Sequence, residues 1–351
     1  MQEFDNGINK TFKFDFSAPL KSKVRIQKLK SFLIKDPSPV LIFYGGEPLL
    51  EYKKIIKIID AFKDTKIKLR MQTNGKLLNK LPAKYLSRID KILVSIDGDK
   101  ERTDKNKGPG TYELVIKNLA LARSQGYNGE IVARMVIAQD SPDLCEQVKH
   151  LLSLNLFDSV HWQIDAGFYK FDYNKDKFTE FVRKYNQSLS RLLNFWMQEM
   201  QKGKVMKLYP FLQITQDLLT GQKVTCLRCG AGHFGYAIST DGQIYACPIA
   251  QDILNFKAGD LTSEPEKLTK FEVSYECSSC DIKDLCGGRC LYWNYARLWP
   301  PEGNKQICST IRHLITNLQS KIPQIKNLIE NKIIKLEDFS HERYFGPEII
   351  P

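Results

Sequence analysis

Residues 40–50 read Val40-Leu41-Ile42-Phe43-Tyr44-Gly45-Gly46-Glu47-Pro48-Leu49-Leu50: an apolar run, a Gly-Gly turn, then an acid and a proline that open a helix. The two glycines let backbone approach a ligand closely, and Pro48 pre-sets the first helical turn. On its own this turn is ordinary loop geometry, and its meaning comes from what repeats after it. Mostly apolar runs at 40–44, 67–72, 91–96, 131–137 and 159–164 have the length and composition of strands buried on both faces. Between them apolar residues return at helical spacing, as in Ile55, Ile56, Ile58, Ile59 and Phe62, or Leu114, Val115, Leu119 and Leu121. Strand alternating with helix predicts an α/β fold with five parallel strands, their outside covered by helices.

Upstream, residues 24–34 supply one helix. Downstream, Phe178, Phe181, Val182, Tyr185, Leu189, Leu192, Leu193 and Trp196 trace one stripe of a long packing helix. After about residue 207 glycines and cysteines cluster and strands become few, which predicts a boundary there. The expected division is a barrel unit at 1–205, a Cys-rich unit at 206–335 and a tail at 336–351, with 342–351 loosely docked.

The chain has 351 residues, enough for a large core without disulfide staples. No apolar stretch approaches the roughly 20 residues that span a bilayer, and the first residues form no secretory signal. A cytoplasmic protein with reduced thiols is expected and a membrane partner is not. The net charge of +12 comes from scattered lysines rather than from a basic block, so nucleic acid is not indicated as a partner.

Eight of the nine cysteines lie between positions 226 and 308. Cys226 and Cys229 form C-x2-C, Cys247 follows, and Cys277, Cys280, Cys286 and Cys290 form C-x2-C-x5-C-x3-C before Cys308. Such spacings let one turn present two thiolates to an ion or cluster, and eight ligands make two sets of four. Local spacing suits tetrahedral zinc as well as it suits iron-sulfur clusters. Cys145, apart from the rest in a helix predicted at 143–154, reads as a buried structural thiol.

The order Cys229-x12-Gly242-x4-Cys247, then Cys277 to Cys290, then Cys308, resembles the SPASM domain of radical S-adenosylmethionine peptide maturases. Cys226 matches the usual eighth ligand. The resemblance implies one auxiliary 4Fe-4S cluster on Cys226, Cys229, Cys247 and Cys290, and another on Cys277, Cys280, Cys286 and Cys308. It tips the choice from zinc to iron-sulfur.

The barrel half is similar to the same superfamily. Tyr44, Gly45, Gly46, Glu47 and Pro48 stand where the family cradles the amino group of S-adenosylmethionine. Thr73 and Asn74, in Gln72-Thr73-Asn74-Gly75, and Ser95 and Asp97, in Ser95-Ile96-Asp97-Gly98, match further cofactor-binding elements at strand ends, where barrels bind ligands. The Lys107-Gly108-Pro109-Gly110-Thr111-Tyr112 turn also looks like the family's. Arg134 interrupts an apolar strand and needs an anionic partner. The resemblance supplies the cofactor carboxylate, with Ser95 near the ribose; the alternative is a buried ion pair with Asp97 or Asp165.

Two departures stand out. The superfamily's C-x3-C-x2-C, whose three thiolates hold the cluster that reduces the cofactor, does not occur, and no cysteine precedes Cys145. The expectation is a chain that starts late, a partial barrel lacking its first strand and inactive as written. Pro248 also follows Cys247, where sulfatase-maturing relatives carry an aspartate base, which argues against that activity. Tyr236, Tyr245, Asp241 and His233 near the cysteines read as structural.

The function implied by resemblance is an enzyme that modifies a ribosomally synthesised peptide by hydrogen abstraction. It would use S-adenosylmethionine, two auxiliary clusters and a one-electron donor such as a flavodoxin or ferredoxin. Two alternatives are a non-catalytic iron-sulfur protein for electron transfer or scaffolding, and a zinc-stabilised binding module.

Overall fold

Six strands lie side by side in sequence order, every neighbouring pair parallel: β1 (Val40–Phe43), β2 (Lys68–Thr73), β3 (Lys91–Ser95), β4 (Glu130–Ile137), β5 (Ser159–Ile164) and β6 (Lys207–Leu208). The computed structural model describes residues 12–344. Helices α1 (Ile26–Leu33), α2 (Tyr52–Ala61), α3 (Ala83–Leu86), α4 (Lys100–Lys107), α5 (Thr111–Ser124), α6 (Cys145–Ser153) and α7 (Lys175–Gln201) alternate with the strands. The five expected strands form within a residue or two of their predicted ends. The sixth has only two residues, Lys207 paired with Ser159 and Leu208 with Val160, too short to show a period in sequence.

One expectation is corrected. The strands are not apolar on both faces. Outward residues such as Met71, Ile92, Val94, Ile131, Met135, Val160 and Trp162 are fully buried beneath the helices. The inner face carries Arg70, Gln72, Lys91, Ser95, Glu130, Arg134, His161 and Gln163, with only a small apolar layer of Ile42, Leu93, Val132 and Tyr209 between polar rows. Period-two alternation, apolar out and polar in, is what a barrel enclosing a polar interior requires.

The long-helix stripe is as expected. Phe178, Phe181, Tyr185, Leu189, Leu192, Leu193 and Trp196 of α7 are all buried. Trp162 and Trp196 each meet Phe211 of α8 (Tyr209–Thr220), with centroids 5.3 and 5.2 Å apart. Both indole N–H groups are satisfied, donating to the Tyr185 hydroxyl at 3.0 Å and the Met206 carbonyl at 2.9 Å, so the aromatic burial leaves no orphan donor.

The second unit is a three-stranded antiparallel sheet of β7 (Ala237–Ile238), β8 (Gln243–Tyr245) and β9 (Lys257–Asp260), followed by α9 (Lys283–Cys286), α10 (Leu291–Ala296) and α11 (Pro301–Glu330). Helix α11 packs along α7 and α8, joining this unit to the barrel. The stretch from Phe12 runs against the second unit: the Asp15 N–H donates to the Asp252 carbonyl at 2.9 Å, and Phe12 packs on Phe256 and Tyr292.

Residues 342–344 are not loosely docked, as expected for the start of 342–351. Glu342 pairs with Arg70, and with Lys68 at 2.5 Å and Lys91 at 3.7 Å; Arg343 pairs with Asp217; Tyr344 stacks on Phe234 at 4.4 Å. Residues 345–351 lie outside the described residues. Among the described residues no helix is long and apolar enough to cross a membrane.

Candidate functional site

The strand-end motifs are tied to one another by Glu47. Its backbone is extended at the start of a single 3-10 turn, Pro48–Glu51, where its side chain accepts the Leu49 N–H at 3.0 Å. The same oxygen accepts the Thr73 hydroxyl at 2.8 Å, and the other accepts the Asn74 N–H at 2.8 Å. Thr73 Oγ1 in turn accepts the Gly75 N–H at 3.0 Å, and Asn74 Oδ1 accepts the Lys76 N–H at 2.9 Å. Gly75 has φ +75°, and a β-carbon there would lie 3.1 Å from Val94, so this turn needs glycine. The Asn118 amide donates to the Gly75 and Lys76 carbonyls at 2.9 and 3.0 Å, fastening the loop to α5.

Glu47, Thr73 and Asn74 therefore use these polar groups to shape the loops. Asp97 does the same: it is 1% exposed, accepts the Val136 N–H at 2.9 Å and the Asn106 amide at 3.0 Å, and pairs with Lys107 at 3.2 Å. Of the other strand-end residues, Tyr44, Gly45 and Gly46 are exposed and Ser95 and Arg134 half-buried. No atom lies within 4 Å of a β-carbon built at Gly45 or Gly46, so the turn borders open space.

Arg134 is half-buried on β4, in register with Ser95 on β3 and His161 on β5. Its hydrogen bonds go to amide oxygens, from Nη1 to Gln72 and from Nη2 to Gln163 at 3.4 Å. The ion pair with Asp97 or Asp165 that the sequence left open does not form: among the described residues Arg134 makes no salt bridge, and Asp97 pairs with Lys107 instead. Burial lowers the Arg134 pKa, opposed by Tyr44 and by the Cys229 thiol. Gln72 and Gln163 are participants the sequence reading passed over; their signal was a polar residue at the inward position of an apolar strand.

The cysteines converge by a different route. Cys226 and Cys229 follow α8, Cys247 follows β8, Cys286 ends α9, Cys290 caps α10, and Cys308 stands on α11. All nine cysteines are free thiols. Burial raises Cys277 to about 11, with Cys286 and Cys280 adding to it. Burial likewise raises Cys308 to about 12, with Cys277, Cys286 and Cys280 contributing. These four thiols thus lie close enough to feel one another's charge. In the other group burial raises Cys247 to about 12, with Cys290 as the next cause. Cys226 is also raised, by burial first, and its sulfur meets the Tyr344 side chain, while Cys229 faces Arg134.

Crowded thiols in a desolvated site resist ionisation, and a bound metal reverses that by its own charge. Among the described residues no three His, Cys, Asp or Glu side chains close to the spacing of one ion's ligands. The set of Cys277, Cys280, Cys286 and Cys308, thiols close enough to feel one another's charge, suits a thiolate-bound metal centre. Cys145 is buried in α6 with its N–H on the Ser188 hydroxyl at 2.9 Å, remote from both groups.

A cleft of about 650 Å³ lies at the opposite, N-terminal end of the barrel, where Lys68, Arg70, Lys91, Glu130, Tyr209 and Glu342 form an ion-pair network. In barrels that end serves stability and the C-terminal strand ends bind ligands.

Residues 16–152 match the model of the radical SAM superfamily. The cysteine-type anaerobic sulfatase-maturating enzyme of Clostridium perfringens is 25% identical over 280 residues, 71% of this chain and 72% of that protein. The structure of native anSMEcpe with bound AdoMet and Cp18Cys peptide shares the fold at TM-score 0.64 and 20% identity, covering 88% of this chain and 91% of that one. Streptococcus suis SuiB bound to precursor peptide SuiA aligns at TM-score 0.51 and 16% identity, over 81% of this chain and 69% of that one.

Proposed function

We propose, for a chain that carries a radical SAM domain and is related to the sulfatase and peptide maturases, that it modifies a ribosomally made peptide by hydrogen abstraction from carbon. The observation that carries this reading is the barrel mouth, where the Arg134 cation has, among the described residues, only amide hydrogen-bond partners beside a Gly-Gly turn bordering open space. Arg134 would take the carboxylate of S-adenosylmethionine, the backbone of Tyr44, Gly45 and Gly46 its amino group, and Ser95 its ribose. Glu47, Pro48, Thr73, Asn74 and Asp97 would keep those contacts in shape. When bound and reduced, the cofactor supplies the carbon radical that takes the hydrogen.

The eight clustered cysteines would hold two 4Fe-4S clusters, one on Cys226, Cys229, Cys247 and Cys290, the other on Cys277, Cys280, Cys286 and Cys308. Their place beside the barrel suits passing electrons to or from a peptide at its mouth, with a flavodoxin or ferredoxin as the outside donor. This sequence contains no C-x3-C-x2-C for the cofactor-reducing cluster.

Anaerobic reconstitution of the full chain tests the reading. About eight iron and eight sulfide per chain are expected, with S-adenosylmethionine binding that Arg134→Met weakens. A colourless protein that folds normally on zinc would overturn it. A second reading, a non-catalytic iron-sulfur protein, rests on the eight clustered cysteines alone. That reading predicts loaded clusters that exchange electrons with a flavodoxin, while added S-adenosylmethionine is never cleaved.

A further inference from the structure

Between the two cysteine groups the backbone adopts a left-handed course. In Cys286-Gly287-Gly288-Arg289-Cys290 the φ angles of the three middle residues are +74°, +104° and +58°. The glycines are required: a β-carbon on Gly287 would lie 2.7 Å from the Cys226 carbonyl oxygen, and one on Gly288 would lie 2.6 Å from a Val273 methyl. Arg289 keeps a full side chain where the backbone disfavours any β-carbon, and such outliers concentrate where geometry serves function.

The turn sends that side chain inward. Arg289 is 4% exposed; its Nη2 donates to the Ala166 carbonyl at 3.2 Å, just beyond β5, and its guanidinium lies 5.5 Å from the Trp293 ring. Nη1 is buried with no hydrogen-bond partner among the described residues. Among the described residues Arg289 forms no salt bridge; the groups whose charge it feels most are the thiols of Cys290, Cys308 and Cys286, while the Asp165 carboxylate, one residue before Ala166, feels the guanidinium without pairing with it. One belongs to the first proposed set and two to the second. A buried cation with an orphan donor is costly unless an anion meets it, and each set of four thiolates would bring one.

We propose that Arg289 is the shared counter-cation of the two cysteine sets, its free N–H directed at their sulfur ligands and its charge easing electron uptake at both clusters. This rests on the iron-sulfur reading above. Each reduction adds a negative charge beside a fixed positive one, so the guanidinium favours the reduced forms. Arg289 would act through the sulfur ligands, as a positioning residue.

The test is an EPR-monitored redox titration of the reconstituted full chain, with Arg289→Gln and Arg289→Lys. The wild type comes first: if it holds no two iron-sulfur centres, the functional reading fails before Arg289 is at issue. With both centres present, Arg289→Gln should lower the reduced-to-oxidised ratio at fixed potential about tenfold at each, a shift of about 59 mV for a one-electron couple. Arg289→Lys should stay near wild type. Unchanged potentials in Arg289→Gln, a shift at one centre only, or equal shifts in both variants overturn the proposal. Should Arg289→Gln fail to load iron, loading by Arg289→Lys supports the charge role, and failure of both overturns it.

Discussion

Glu47 and Thr73, 26 residues apart, meet at 2.8 Å and join the end of β1 to the end of β2. The same carboxylate also receives two backbone N–H groups, so three donors converge on one side chain. Glu47→Gln keeps one acceptor oxygen and turns an NH2 toward a donor. The expected loss is about 1–3 kcal/mol of stability, together with weaker S-adenosylmethionine binding. Urea unfolding and calorimetric titration measure the two effects.

Arg134→Met should behave differently. Its side chain has only amide partners, so folding should change little, while cofactor affinity should fall by about 1.5–3 kcal/mol, the worth of a hydrogen bond to a charged group. Equal losses in unfolding and in binding would show that Arg134 is structural instead.

Asp217 is fully buried between Arg228 at 2.8 Å and Arg343. Asp217→Asn leaves two guanidinium groups without their carboxylate, and breaking a buried pair in this way costs about 3–5 kcal/mol. Denaturant unfolding at neutral pH reads that loss directly. An unchanged midpoint would mean that solvent reaches the cluster.

Glu342 supplies a pH dependence. Burial pushes its carboxyl up, but Lys68, Arg70 and Lys91 together outweigh burial and hold it below its ordinary value. A carboxyl depressed in the folded state contributes stability above its unfolded pKa of about 4.3, and loses it as pH falls through the folded value. Protease cleavage near Ser340 should therefore rise on acidification below about pH 4. Glu342→Gln should show that sensitivity already at neutral pH.

Cys308→Ala tests the assignment of ligands, because this cysteine sits on a thirty-residue helix rather than on a cysteine-rich loop. Iron should fall from about eight to about four per chain, with the other set intact. Loss of all iron would instead show that the two sets assemble as one unit.

The barrel strands were legible because their outward faces are apolar; the inward rows were not, since Gln72, Arg134 and Gln163 read as interruptions until register aligned them. The Gly-Gly turn by itself reads as ordinary loop geometry and becomes a place for a ligand only through the family resemblance, and that Glu47 braces the loop depends on Thr73 and Asn74, one strand away. The paired cysteine loops were readable from spacing. The long helix carrying Cys308 has a readable stripe in Ile307, Ile311, Leu314, Ile315 and Leu318, all buried, but Pro301 and Gly303 at its start and Pro323 within it are residues that ordinarily break helices. Contacts over great separations, such as Arg343 with Asp217, leave no local pattern at all.

That last contact has a consequence for biosynthesis. Arg343 leaves the ribosome 126 residues after Asp217, about 6–25 s later at ordinary translation rates. Until it arrives Asp217 can have at most Arg228, 11 residues on, of its two arginine partners, and Cys226 lacks the Tyr344 ring beside it. The sulfur-bearing loops thus emerge unlatched, and the late arrival of three residues fastens them to the barrel floor.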